Sequence, residues 1–250
     1  MRNMYSALLF ALPVLLLWIG SIKAFDADDR VVVIGALHGL HDREPAFGYD
    51  RLRSAIVDFR PDVLVLEVRP DELAEKKPTP GRPEYPAVIW PLLAEMRVNA
   101  VAMEPGGDLY AEITRQAGAA FAALKQRNPI GAAALIRLDE ATDEALLAYW
   151  QQPGQVQDEK TAAVAYGLQS AQFALAGPDF AAAQARWDGY MASQVRKAVR
   201  DHPGKRIMVV GSYSNRAMLE RVAREQSSQR IVDAEAWVGK AAAPSAASAN

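Results

Sequence analysis

Only three histidines occur in this chain of 250 residues, and two of them, His38 and His41, stand three apart in "RVVVIGALHGLHD". The stretch opens as a continuous β-branched run, which reads as a buried strand, and turns polar after Gly35. His38 is therefore placed at a strand tip. An imidazole there can move protons near neutral pH or bind a divalent ion. His41, followed by Asp42 and Arg43, reads as a solvated loop residue.

Carboxylates and hydroxyls recur at comparable positions. Four segments read as strands buried on both faces, because they are short, apolar and continuous rather than alternating: 30–35, 62–67, 99–104 and 206–211, with 230–234 a weaker fifth. If these strands run parallel, the residues just past each one gather along a single edge of the sheet. That edge collects His38, then Glu67, then Glu104, and finally Ser212, Tyr213 and Ser214. The first two strands are expected to lie side by side, bringing His38 and Glu67 together at their tips. Imidazole nitrogen with carboxylate oxygen suits a divalent metal, which lowers the pKa of a bound water. The same pair can also transfer protons with no metal at all. Glu67 ends an uninterrupted buried run, where an unpaired carboxylate is costly. Glu104, taken alone, reads more readily as a group satisfying a turn or a helix start.

Helical spacing fills the intervals between strands. "YDRLRSAIVDF" puts Leu52, Ile56 and Phe59 on one face, and "EYPAVIWPLLAEM" does the same with Val88, Leu92 and Met96, with Pro91 a possible kink. Strand, helix, strand implies parallel crossovers, and hence an α/β fold: a central, largely parallel sheet flanked by helices. From about 108 to 202 the chain is alanine-rich and purely helical in pattern, which reads as a helical insertion between the third strand and the C-terminal strands. Half of all residues are apolar and the formal charge is −2, so a single core is expected, with no basic face for nucleic acid or an anionic membrane.

The ends carry different signals. Residues 1–24, with Arg2, an apolar run and "SIKA", read as a signal peptide cleaved after Ala24, or alternatively as an uncleaved anchor. Either reading exports the folded part, to the periplasm or beyond, and leaves the membrane as a partner only through that segment. The chain contains no cysteine, which removes disulfides, thiol nucleophiles and thiolate metal sites. Residues 25–238 read as one domain and 239–250 as a disordered tail.

The motif "VVVIGALHGLHD", followed by "RPDVLVLEVRPDEL", resembles the TraB/GumN (PrgY) families and their relatives, the Tiki metalloproteases, the erythromycin esterases and the ChaN haem-binding lipoproteins. Gly35 to His38 matches their first G-x-x-H, and Asp62 to Glu67 the Asp-apolar-Glu pattern that ends the next strand. The resemblance resumes in "RWDGYMASQVRKAVRDHPGKRIMVVGSYSNRAMLERV", with two departures. Gly211, Ser212, Tyr213, Ser214 stands where the second G-x-x-H would be, and Trp187–Asp188 stands where an Arg-Asn pair would be, with Arg186 one place out of register. The resemblance implies His38 and Glu67 as metal ligands or a base pair, with Glu104 and Asp188 as added carboxylate ligands. Gly35, Gly211 and Ser214 would edge the site. It implies a hydrolase of peptide or ester bonds, using a divalent metal or none, on a small-molecule or peptide substrate. The alternative is a binding protein of the same fold that holds haem, a peptide or an envelope ligand without turnover. A Ser214 nucleophile lacks the G-x-S-x-G elbow that would support it. The oligomeric state is left open.

Overall fold

Each expected strand forms, and all five join one parallel sheet, but the strand expected at 99–104 is shorter, at 99–102, and lies at the sheet edge, exposed or half-buried rather than buried on both faces. A computed structural model describes residues 30–77, 80–227 and 230–240. The proposed signal segment at 1–24 and the tail beyond 240 lie outside the described residues. The strands are β1 (Arg30–Ala36), β2 (Val63–Leu66), β3 (Asn99–Ala102), β4 (Ile207–Ser212) and β5 (Arg230–Ile231). Their order across the sheet is β3-β2-β4-β1-β5, every pair parallel.

This order corrects one expectation. The first two strands do not lie side by side, because β4 runs between them: Val209 pairs with Val33 on one side and Val65 on the other. All three strands are apolar on both faces and equally suited to a central position, so pattern alone does not rank them. Two strand spacings, about 10 Å, thus separate the tips of β1 and β2. The connection leaving β1 runs to one side of the sheet centre and that leaving β4 to the other, which opens a crevice at their carboxyl ends.

Helices cover both faces. Val32, Ile34, Leu64, Leu66, Met208 and Val210 point into one core, which is closed by α1 (Tyr49–Phe59), by residues 85–92 and by α9 (Ala234–Lys240). Val31, Val33, Val63, Val65, Ile207 and Val209 point into the other, closed by the second half of α7 (Pro178–Asp201) and by α8 (Arg216–Gln226). The helix expected over 84–96 forms in two parts, a π-helical turn at Tyr85–Ile89 and then α3 (Trp90–Met96). Pro91 has no N–H to return to residue 87, and the wider π turn absorbs that gap. A short α2 (Pro70–Glu75) follows β2.

The alanine-rich middle is helical throughout, as α4 (Gly107–Arg127), α5 (Pro129–Tyr149), α6 (Glu159–Ala176) and α7. Only part of it stands off the sheet. The end of α5 sends Leu146 and Trp150 into the first core, while Leu124, Ala132, Leu135 and Ala176 form a small third cluster. The last strand is shorter than expected, because Asp233 turns the chain by accepting from Ala236 N–H at the start of α9. That helix runs on to Lys240, past the boundary expected at 239.

Candidate functional site

The carboxyl ends of β1, β2, β3 and β4 open into a cleft of about 520 Å³ whose walls include His38, Glu67, Arg82, Glu104, Ser212 and Ser214. His38, Glu67 and Glu104 therefore share one cavity despite the inserted strand. His38 has φ 51°, in the left-handed region. Among the described residues three other non-glycine residues share this conformation, and each of them, Arg60, Lys76 and Arg97, ends a helix, where it is common. His38, by contrast, adopts it at a strand tip, a strain of about 1–3 kcal/mol that the surroundings must offset.

What holds His38 is a residue not foreseen from the sequence. Its Nδ1–H donates to Glu84 Oε1 at 2.7 Å, and the Glu84 side chain is 0 % exposed. The other oxygen, Glu84 Oε2, is buried with no partner among the described residues. Nε2 is left as the free ring nitrogen of a side chain 24 % exposed on the cleft wall. Burial disfavours the imidazolium, but the Glu84 hydrogen bond and the charges of Glu67 and Glu84 outweigh it and raise the His38 pKa above the ordinary 6.5.

Glu67 is gripped from several directions. Ser212 N–H donates to its Oε2, Asn215 Nδ2 donates to its Oε1 at 3.2 Å, and Arg82 Nη2 lies 3.6 Å from Oε1. Arg82 also donates to Glu104 Oε1 and to the Glu67 backbone carbonyl. Burial opposes the charge on Arg82, yet the Glu104 hydrogen bond and the Glu67 charge prevail and hold the guanidinium firmly protonated. Burial lifts Glu104 above the usual carboxylate range although Arg82 draws it down. The guanidinium thus stands between the two carboxylates, where a bridging cation would have to sit. As arranged, Glu67 and Glu104 do not fit a divalent ion unless Arg82 moves away. Among the described residues no three His, Asp or Glu side chains converge as a ligand set.

Two glycines make this packing possible. Gly35 and Gly211 face each other in the β1–β4 register. A Cβ on Gly211 would lie 2.9 Å from Glu67 Oε2 and 2.7 Å from Leu219 Cδ1. On Gly35 it would meet the Tyr213 backbone at 2.8 Å. Gln157, in the 3-10 turn Pro153–Gln157 between α5 and α6, completes the edge: its Oε1 accepts from Gly35 N–H at 2.7 Å and its Nε2 donates to Gly35 O at 2.9 Å. A side chain from the helical insertion thereby continues the backbone pairing of β1.

His41 requires a correction, because it is a structural residue only 3 % exposed. Leu37 N–H donates to its Nε2 at 3.0 Å and its Nδ1–H donates to Phe47 O at 2.8 Å. Both ring nitrogens are used, which fixes the neutral tautomer, and burial lowers its pKa. It braces the loop that carries His38.

The helical insertion forms the far wall. Asp188 accepts from Gln184 Nε2 at 2.8 Å; burial raises its pKa, the Gln184 bond opposes this, and the charge of Glu67 adds to it. Asp188 thus stands within electrostatic reach of Glu67, while Gln184 and Trp187 line the cleft directly. Trp187 packs with Tyr110 and the cluster containing Met191, whereas Phe180 belongs with Phe173 elsewhere. Arg186 points to the surface and pairs with Glu112 at 3.0 Å. Ser214 Oγ bonds to Ser212 Oγ at 2.8 Å and to no histidine. No family model, curated protein or solved structure gives a significant match to this chain. The site is therefore read from its own chemistry.

Arg82 and Glu84 escaped the sequence reading because Arg82 lies in the aperiodic "PGRP" and Glu84 opens the helical pattern at 84–96, where a glutamate reads as an ordinary first-turn residue. A signal was nevertheless present. Pro80, Pro83 and Pro86 fix φ around two charged residues, and Gly81, at φ 77°, makes the turn. A stiffened loop that carries opposite charges is a place where function gathers.

Proposed function

We propose that this chain is a hydrolase of the TraB/Tiki-like superfamily, acting on an ester or peptide bond in a small-molecule or peptide substrate, with His38 as general base. One observation carries the reading: His38 Nδ1–H is held by a wholly buried carboxylate while Nε2 stays free on the cleft wall. That arrangement fixes the tautomer and favours the imidazolium that forms during proton transfer. His38 Nε2 takes a proton from water, and the hydroxyl oxygen bonds to the carbonyl carbon. The carbonyl electron pair moves onto oxygen, where Arg82 supplies positive charge. As that intermediate collapses, the C–O or C–N bond breaks and the leaving group takes the proton from Nε2. Glu67 holds Arg82 and the β4 loop in place.

In this reading the reaction needs no resident metal, since Arg82 fills the position between Glu67 and Glu104. Metal dependence, with His38, Glu67, Glu104 and Asp188 as ligands, is the competing reading of the same residues. Turnover of an ester and peptide panel with and without chelator separates the two, together with metal analysis of the wild type and of His38→Ala. Activity that survives chelation and is lost in His38→Ala supports the proposal. Stoichiometric metal that disappears with His38 overturns it in favour of the metal hydrolase. A chain inert on every substrate is the binding protein.

A further inference from the structure

We propose a second, apolar subsite beside the cleft, shaped to take an acyl chain or aromatic side group of about six carbons from the molecule whose ester or peptide bond lies at His38. This rests on the hydrolytic reading above and names the class of substrate. A groove of about 160 Å³ opens among α4, α5, α6 and α7, lined by Phe121, Leu135, Ile136, Ala176 and Phe180. Its remaining two walls, Asp139 and Gln172, also line the cleft.

The two spaces are consecutive turns of the same pair of helices. Along α5, Ile136, Asp139 and Asp143 follow at three and four residues, so they share one face. Along α6, Ala176, Gln172 and Gln169 step in the same way in the opposite direction. Each helix passes from apolar to polar at the boundary, and Asp143 and Gln169 belong to the cleft. A ligand extended from His38 past Asp139 and Gln172 thus enters apolar surroundings. The groove exists because the third cluster is thin: its fully buried members are Leu124, Leu135 and two alanines, and Ile136 is left 53 % exposed. A cavity of about 150 Å³ lined by Leu, Ile and Phe is enough for a benzene ring.

The test separates binding from turnover. Dissociation constants of acetamide, butyramide and hexanamide are measured by NMR titration of the purified chain. Each fully buried methylene is worth about fourfold, so hexanamide is expected to bind more than tenfold more tightly than acetamide. Ala176→Leu, which fills the groove, is expected to erase that preference. Phe180→Ala, which widens it, is expected to move the optimum to a longer amide. Melting curves establish that both variants fold. A flat amide series in the wild type overturns the subsite, as does a preference that both variants retain. So does a dimer in solution that covers the groove and leaves the series flat. If no ester is hydrolysed but the amide preference stands and responds to both variants, the hydrolytic reading fails and the subsite survives.

Discussion

Replacing Glu84 with Gln keeps the shape of the side chain and removes its charge. His38 then exchanges the charge-assisted hydrogen bond that raises its pKa for a neutral one and loses a nearby negative charge that raises it too, while the burial that lowers it remains. Hydrogen bonds to a charged group contribute about 1.5–3 kcal/mol against about 1 for neutral pairs, so the imidazolium loses about 1–2 kcal/mol. That equals a fall of about one pH unit in the His38 titration. The histidine pKa is raised on folding, so its contribution to stability is complete below pH 6.5 and is lost as pH rises through the folded-state value. Wild type is therefore expected to melt about 3–6 °C above Glu84→Gln at pH 5.5, with the gap closing as pH rises through the folded-state value. Proton NMR of the ring follows His38 directly and needs no substrate. In turnover, the acid limb of kcat/KM is expected to move down with it, and kcat on the plateau to fall about 5–30-fold. An unmoved His38 titration in Glu84→Gln would falsify the assignment of Glu84 as the group that tunes the base.

Other substitutions probe the frame. His41→Ala removes two hydrogen bonds from a buried ring and is expected to cost about 2–4 kcal/mol by denaturant titration. Because burial lowers the pKa of His41, its contribution is present above pH 6.5 and fades on acidification, the opposite sense to His38. Gly35→Ala meets backbone and is expected to cost about 3 kcal/mol, against about 1–2 for Gly211→Ala, which meets the ends of side chains; unfolding midpoints rank them. Gln157→Ala leaves both backbone groups of Gly35 unpaired and is expected to cost about 2–4 kcal/mol, visible as faster amide exchange at Gly35.

The parallel sheet was legible because its signal is local: Val31–Ile34, Val63–Leu66 and Ile207–Val210 are uninterrupted apolar runs, and few other arrangements bury such strands on both faces. The helical middle was legible from its spacing, down to the start of α7 at Pro178. Strand order was not, since β4 reaches its central place through contacts with residues more than 140 positions earlier, which no window of sequence contains. The site divides in the same way. His38, Glu67 and Glu104 follow from being strand tips, whereas Arg82, Glu84 and Gln157 come from connecting segments between the main elements, whose positions are set only by tertiary packing. His41 deceived because Asp42 and Arg43 are exposed neighbours, while its own ring turns inward to two backbone groups.

The late position of β4 in the chain has a consequence for biogenesis. β1 and β2 each hydrogen-bond to it along most of their length and never to one another, so a nascent chain of two hundred residues holds both strands without their shared neighbour. Ser212 and Asn215, which grip Glu67, arrive with the same late segment. The grip on Glu67 is therefore completed only after β4 has been made, and such sequence-distant pairing makes folding slow.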